Sequence, residues 1–213
     1  MTSQKRAAAA WEQGAFKDEV VPVELKGRKG TTLFEKDDHM RPDTTMDGLA
    51  KLKPAFSKDG FVTAGNASGI VDGAASVVIS GEQTLRRFDV SPLGRIVSWG
   101  IAGVPPEIMG IGPVPSSKKA LEAAGLSLGQ MDLVEVNEAF ACQYLAVERD
   151  LGLDRNRTNV NGGAIALGHP LGASGTRLVL TVLLELRRRK KKYGLATACI
   201  GGGQGIAMII EAL

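Results

Sequence analysis

The second half of the chain alternates short apolar runs with segments of helical periodicity, and this alternation limits its fold more than any other feature. Hydrophobic strands separated by helices are typical of an α/β protein, in which helices cover a buried sheet. The predicted strands are 93–102, 133–136, 195–199 and 206–211, and the predicted helices are 116–124, 138–150 and 175–190. Because only a glycine-rich turn separates the last two strands, they are predicted to form an antiparallel hairpin.

The first 90 residues give weaker signals, because prolines, glycines and charges are scattered through them. A helix is predicted over 1–14, with Ser3 as its N-cap. The other predicted elements are short: strands over 19–25 and 74–80, and helices over 45–51 and 81–88. The polar stretch 28–65 is otherwise predicted to be a long loop, and loops of this length are usually functional or disordered.

Composition excludes several classes of protein. Hydrophobic residues make up 44% of the chain and charged residues 23%, as in ordinary globular proteins. The net charge of +3 is too small to indicate nucleic-acid binding, although it is compatible with a small anionic ligand. The uncharged stretch 195–210 is too short, and too rich in glycine, to span a membrane.

The chain has only two cysteines, Cys142 and Cys199. Two cysteines do not make a disulfide framework, so a reducing compartment is predicted. The cytoplasm is the first choice, with the mitochondrial matrix and the peroxisome as alternatives. Together with His169, these cysteines lack the spacing of a zinc site, so no metal is expected.

Three residues adjoin buried strands and could carry chemistry. Asn137 follows the strand 133–136, where α/β proteins place ligands, but it could instead cap the next helix. His169 lies in a loop of small residues and could act as an acid, a base or an oxyanion donor near neutral pH. The alternative is a structural histidine in a tight turn.

Cys199 ends an apolar strand and precedes three glycines at 201–203. Bare backbone amides at such a turn can donate to an oxyanion, and nearby positive charge can favour a thiolate. The alternative is a buried, inert cysteine. Each of the three residues is a weak signal alone, and together they indicate one site.

The three segments resemble, in order, the C-terminal signatures of the thiolases. They are Asn-Glu-Ala-Phe at 137–140, the glycine-rich loop with His-Pro at 161–175, and Cys-Ile-Gly-Gly-Gly-Gln-Gly at 199–205. Residues 63–75 and 109–115 match the same family, so the resemblance covers the whole chain.

The resemblance implies a thiolase fold, an α/β architecture of two similar halves with a loop domain inserted in the first. It implies that residues 1–71 are part of the loop domain and that 72–90 are the last strand and helix of the N-terminal half. Residues 91–213 would form the C-terminal domain, a mixed five-stranded sheet between helices.

The resemblance also implies acyl transfer between 3-ketoacyl-CoA and CoA, with CoA and acyl-CoA as substrates and no cofactor. His169 would activate a nucleophilic cysteine, and Asn137 would hold the water of an oxyanion hole. Cys199 would move a proton, and Gly201 would donate a backbone N–H to a second oxyanion hole. The residues implied in substrate binding are Ser68, Ala64, Phe56 and Arg41 on the CoA side, and Phe140 and Met109 on the acyl side.

One part of the family pattern is missing from these 213 residues. The nucleophilic cysteine should lie upstream of Met1, and neither Cys142 nor Cys199 stands in its setting. The chain is therefore expected to be inactive alone and either to form homo-oligomers or to pair with a chain that supplies the N-terminal half. A degradative thiolase of fatty-acid β-oxidation is the first expectation; the alternatives are a biosynthetic acetoacetyl-CoA thiolase and a non-catalytic CoA-binding fragment.

Overall fold

The structure is a computed structural model that describes residues 1–213. The helices are α1 (Thr2–Glu12), α2 (Met46–Ala50), α3 (Glu82–Phe88), α4 (Pro113–Ala124), α5 (Ala141–Leu151), α6 (Ala164–Leu167) and α7 (Ser174–Arg189). The strands are β1 (Val23–Gly27), β2 (Gly30–Phe34), β3 (Gly94–Gly103), β4 (Leu133–Val136), β5 (Tyr193–Ile200) and β6 (Gln204–Ala212). Two 3₁₀ helices, Pro106–Ile111 and Leu128–Gln130, complete the set. None of the helices is long and apolar enough to cross a membrane.

The main sheet has four strands in the order β3-β6-β5-β4. β4 and β5 are parallel, whereas β6 is antiparallel to both of its neighbours, which confirms the predicted hairpin and a mixed sheet. The expected fifth strand is reduced to one parallel bridge between Val134 and Thr158. Backbone hydrogen bonds join this segment to Val134 of β4 through Arg157 O and Asn159 N. The side chain of Asn159, rather than its backbone, makes the bonds to Val136 N and Val136 O.

Helices cover both faces of this sheet, because β4 alternates apolar side chains between two separate cores. On one face, Val134 and Val136 pack with residues of α4 and α5. On the other face, Leu133 packs against the apolar stripe of α7. That stripe consists of Leu178, Val182, Leu183 and Leu186. The layered α/β arrangement predicted from the sequence is therefore confirmed.

Helix α1 is bound to the C-terminal part of the chain by hydrogen bonds. Ser3 is not its N-cap as predicted, because the helix begins at Thr2 and Met1 takes the cap position. Instead, the buried Ser3 hydroxyl donates to Oε2 of Glu138 at 2.6 Å. Gln4 donates to the carbonyl of Ile165 at 3.1 Å. The first residues of the chain thus hold the loop that leads to His169.

The strand predicted over 74–80 does not form. This stretch has no hydrogen-bonded strand partner in the chain, and its apolar side chains are open to solvent: Val78 is 95% exposed and Ile79 is 73% exposed. Trp99, on the edge strand β3, is 63% exposed. A strand cannot satisfy its backbone groups without a partner, so the apolar run stays extended and unpaired.

We therefore expect the isolated chain to self-associate, because an unpaired apolar edge promotes aggregation. Multi-angle light scattering of the purified chain should give a mass above 22.4 kDa that rises with concentration. Replacing Val78 and Ile79 with lysine should reduce the measured mass, whereas the same change at the exposed polar residues Gln83 and Thr84 of α3 serves as a control. A wild-type chain that elutes as a clean monomer would contradict this expectation.

Candidate active site at the carboxyl end of the parallel strands

Asn137 and Cys199 lie at the carboxyl ends of the neighbouring parallel strands β4 and β5. Val136 of β4 is in register with Thr197 of β5, and Asn137 N donates to Thr197 O at 2.9 Å. Cys199 lies two residues further along β5. Asn137 is fully buried, and α5 begins only at Ala141, so the alternative that Asn137 caps the next helix is wrong.

His169 lies in a hydrogen-bonded chain with Asn137 and Ser174. Its Nε2 is 3.2 Å from Asn137 Nδ2, and its Nδ1 is 2.6 Å from Ser174 Oγ. Because the amide N–H donates, Nε2 is the acceptor and Nδ1 carries the proton that is donated to Ser174. Ser174 in turn donates to the carbonyl of Pro170 at 3.0 Å, which fixes both the tautomer and the ring.

The surroundings of His169 favour its neutral form. Burial lowers the pKa of His169, and the positive charge of Arg177 lowers it further. A neutral imidazole with an unprotonated Nε2 can take a proton from a group placed beside it.

Cys199 has the opposite character. Burial raises the pKa of the Cys199 thiol, with only partial compensation from a backbone hydrogen bond. The thiol is therefore protonated near neutral pH, which suits a group that gives up and regains a proton rather than a standing thiolate.

A segment from the first part of the chain, residues 66–69, runs between the Asn137 and His169 loops. Ser68 donates to Ala139 O through its backbone N–H at 3.0 Å and through Oγ at 3.1 Å. At the end of this segment, His169 N donates to Gly69 O at 2.9 Å. The predicted substrate residue Ser68 is thus brought to the same edge as the two predicted catalytic residues.

The other residues expected to bind CoA lie further out. Phe56 is 76% exposed, and its ring meets that of Phe140 edge-to-face with centroids 6.0 Å apart. Ala64 and Arg41 are exposed, and neither hydrogen-bonds to the Asn137, His169 and Ser174 side chains. Arg41 Nη1 instead donates to Asp38 O at 2.9 Å.

The 3₁₀ helix Pro106–Ile111, which carries the half-buried Met109, lies against β5 and β6. A Cβ added to Gly205 would lie 2.0 Å from the carbonyl oxygen of Gly112, so only glycine fits there. In the turn after Cys199, where Gly201 is exposed, a Cβ added to Gly203 would lie 3.0 Å from Pro106 N. The geometry explains why glycines are needed both before α4 and after Cys199.

Two residues that support the site, Ser174 and Glu138, were not predicted from the sequence. Ser174 lies five residues after His169 in a loop of small side chains. This short separation could have indicated that the Ser174 hydroxyl reaches the imidazole. Glu138 is buried, and its carboxylate accepts hydrogen bonds from Ser3 Oγ, from Asn159 Nδ2 at 3.2 Å and from Ile165 N at 3.2 Å. No sequence pattern pointed to those three donors, because they are far apart along the chain.

Comparison with protein-family models gives two matches that together cover almost all of the chain. Residues 90–212 match "Thiolase, C-terminal domain", and residues 1–83 match "Thiolase, N-terminal domain". The chain belongs to the thiolase family. The further division of the first 90 residues at 71 stays a prediction.

Curated and solved thiolases resemble the chain over its whole length. It is 56% identical to the acetyl-CoA acetyltransferase of Shinella zoogloeoides over 213 residues, and 58% identical to the human mitochondrial 3-ketoacyl-CoA thiolase over 211 residues. A crystal structure of the human mitochondrial 3-ketoacyl-CoA thiolase in complex with CoA superposes with a TM-score of 0.92 at 55% identity. The acetyl-CoA acetyltransferase of Bacillus anthracis superposes with a TM-score of 0.96 at 51% identity.

The chain spans about half the length of these thiolases. It is covered completely by the Shinella zoogloeoides protein but accounts for 54% of that protein, and it accounts for 53% of the human one. These residues therefore adopt the thiolase fold over the half of the protein that they span.

Proposed function

We propose that this thiolase chain supplies the base and the proton carrier of an acyl-transfer site acting on 3-ketoacyl-CoA and CoA. The observation that carries the proposal is the hydrogen-bonded Asn137–His169–Ser174 chain at the sheet edge where Cys199 also ends its strand. Base and proton carrier differ in character, because burial lowers the pKa of His169 and raises that of Cys199. Groups whose pKa values move apart suit opposite roles.

In the proposed thiolysis, His169 takes the proton of a nucleophilic cysteine, whose sulfur attacks the keto carbon. The bond between the α- and β-carbons breaks, and Cys199 gives its proton to the α-carbon that leaves. The CoA thiol then loses its proton to Cys199 as its sulfur takes the acyl group, and the cysteine sulfur that leaves takes its proton back from His169, so both thiols are restored. Asn137 would hold a water that donates to one charged oxygen, since its buried Oδ1 has no hydrogen-bond partner and can accept from that water. Gly201 would donate its backbone N–H to the charged oxygen of the second oxyanion hole.

We propose that CoA lies across the segment 66–69, beside Ser68, with Ala64, Phe56 and Arg41 on its outer side. One of the similar structures is the human mitochondrial 3-ketoacyl-CoA thiolase in complex with CoA, and it superposes along the whole chain. Phe140 and Met109 would line the acyl side, since Phe140 lies three residues after Asn137 and the 3₁₀ helix of Met109 lies against β5, which carries Cys199. A degradative thiolase is the first candidate, and the acetyl-CoA acetyltransferases among the relatives keep the biosynthetic direction as the second.

Cys142 and Cys199 are the only cysteines in these residues, and both are free thiols. Cys142 is exposed on α5, and Cys199 is assigned to proton transfer. We therefore propose that the nucleophile comes from an N-terminal thiolase half that covers the apolar surface formed by residues 70–80 and Trp99. The free thiols agree with a reducing compartment, for which we propose the cytoplasm, with the mitochondrial matrix or the peroxisome as alternatives.

Acetoacetyl-CoA thiolysis, followed by the loss of absorbance of the magnesium enolate, tests this proposal. The chain alone should show no turnover, and co-expression with the N-terminal half of one of its relatives should give a complex with measurable turnover. The matched control is the same N-terminal half with its nucleophilic cysteine replaced by alanine. Turnover by the chain alone would contradict its inactivity, and a stable complex without turnover would contradict the acyl-transfer role.

A further inference from the structure

The other histidine of the chain, His39, packs against the segment 66–69 that runs between the Asn137 and His169 loops. A Cβ added to Gly69 would lie 2.2 Å from Cε1 of His39, 2.7 Å from its Nε2 and 2.8 Å from its Nδ1. Because Cε1 is the ring atom furthest from the backbone of His39, the tip of the imidazole occupies the space that a side chain at position 69 would need. Gly69 does not have a positive φ, so this contact, and not the backbone conformation, excludes a side chain there.

His39 lies on a part of the chain that is held in place by the residues after it. Its own side chain is half-buried. The next residue, Met40, is buried in a small apolar cluster with one alanine from α1 and one from α6. The backbone N–H of Arg41 donates to Oε1 of Gln4 on α1 at 2.7 Å. These two contacts fix the backbone beside His39, so its imidazole holds a defined position against the segment 66–69.

The segment 66–69 is hydrogen-bonded to both catalytic loops as well. Gly69 O accepts from His169 N at 2.9 Å. Ser68 donates to Ala139 O through its backbone N–H at 3.0 Å and through Oγ at 3.1 Å. The segment is therefore enclosed between the ring of His39 and the two loops, and a shift of Gly69 would move the backbone that carries the base.

The contact between His39 and Gly69 is one of packing alone. The imidazole hydrogen bonds in the structure, to Asn137 and Ser174, belong to His169. His39 therefore acts on the segment through the size and shape of its ring. Close packing of this kind transmits small changes of volume to the neighbouring backbone, because few voids are present to absorb them.

We propose that His39 is a positioning residue for the CoA side of the site. Its imidazole, packed against Gly69, fixes the segment 66–69 where Ser68 would meet CoA and where Gly69 O holds the backbone of His169. The proposal rests on the acyl transfer and the CoA position proposed above. His39 does not touch the reacting atoms; it acts through Gly69.

Exchanging side-chain size across the contact tests this role in the complex with the N-terminal half. His39→Ala leaves a gap beside Gly69 and should lower kcat/KM for CoA about 10-fold, mainly by raising the KM for CoA, since a misplacement of about 1 Å can cost up to about 10²-fold. Gly69→Ala adds a methyl group that displaces the imidazole, and it should cause a loss of the same order. His39→Ala/Gly69→Ala should be more active than the product of the two single effects, because the methyl group takes part of the space of the ring.

Gly129→Ala is the matched control for the added methyl group. Gly129 has an ordinary φ, and its added Cβ would come no closer than 3.8 Å to another residue, the side chain of Ser127. It lies in the 3₁₀ helix Leu128–Gln130, away from the segment 66–69. This variant should keep the wild-type KM for CoA.

Two results would overturn the proposal. If the losses of His39→Ala and Gly69→Ala simply multiply in the double variant, the two residues act independently. If the variants lower the urea midpoint of unfolding but keep the wild-type KM for CoA, the contact is only structural. Should His39→Ala not fold, His39→Gln takes its place in the same comparison, because it keeps a long side chain without the ring.

The Kd for CoA, measured by titration calorimetry on the same complexes, should follow the same pattern as the KM and needs no turnover. A wild-type complex that binds CoA without turnover would contradict the acyl-transfer function, while the Kd values would still decide the role of His39. Turnover with an unchanged KM and Kd in His39→Ala would contradict only the role of His39.

Discussion

Replacing His169 with alanine is expected to lower thiolysis by the assembled enzyme about 10²–10⁴-fold, the usual contribution of a general base. The structure gives the reason: Nε2 is the unprotonated nitrogen, and Ser174 holds the proton on Nδ1. The side chain is half-buried, and its removal leaves the backbone bond from His169 N to Gly69 O intact. The loss should therefore appear in kcat/KM of the complex with the N-terminal half, while the free energy of unfolding changes little.

Ser174→Ala should have a smaller effect than His169→Ala and serves as its comparison. It keeps the imidazole but removes the acceptor of the Nδ1 proton, so the wrong tautomer becomes populated and activity should fall by less than in His169→Ala. Ser174→Thr restores a hydroxyl and should recover part of the loss. If His169→Ala retains activity within a few-fold of wild type while the complex stays intact, the assignment of His169 as the base is wrong.

Replacing Glu138 with alanine is expected to destabilise the chain by about 3 kcal/mol, because several buried donors lose their acceptor at once. The carboxylate is buried and accepts from Ser3 on α1, from Asn159 and from Ile165 N in the loop before His169. Loss of the acceptor should release α1 as well as loosen this loop. Urea unfolding measures the loss of stability, and limited proteolysis within α1 measures the release of that helix.

Two variants serve as comparisons for Glu138→Ala, one that removes part of the network and one exposed control. Ser3→Ala removes one of the three bonds to Glu138 together with the bond that Gly163 N donates to Ser3 Oγ, and should cost about 1–2 kcal/mol. Glu82→Ala removes an exposed carboxylate that pairs with Arg86 on α3, and should change stability by less than about 0.5 kcal/mol. If Glu138→Ala unfolds at the same urea concentration as Glu82→Ala, with α1 still protected, then Glu138 does not hold the two parts together.

The sequence by itself determined the elements of the second half. The strand 133–136, the hairpin of β5 and β6, and the amphipathic α7 were predicted because strands covered on both faces need continuous apolar runs and a covering helix needs one apolar stripe. The order of the three signatures also determined the family. Asn137 and His169 were predicted as candidate site residues, and in the structure Asn137 Nδ2 lies 3.2 Å from His169 Nε2. These features depend on neighbours that are close along the chain or on patterns that repeat at a fixed period.

Only the tertiary structure decided which distant groups meet. The apolar run 74–80 has strand composition but forms no strand, because backbone pairing needs a partner that composition does not supply. Ser3 was predicted to cap a helix, but its hydroxyl donates to Glu138, which lies 135 residues away along the chain. Ser174 supports the site because the first residue of α7 lies within 2.6 Å of Nδ1 of His169. Such contacts depend on the packing of whole elements, and no local pattern in the sequence encodes them.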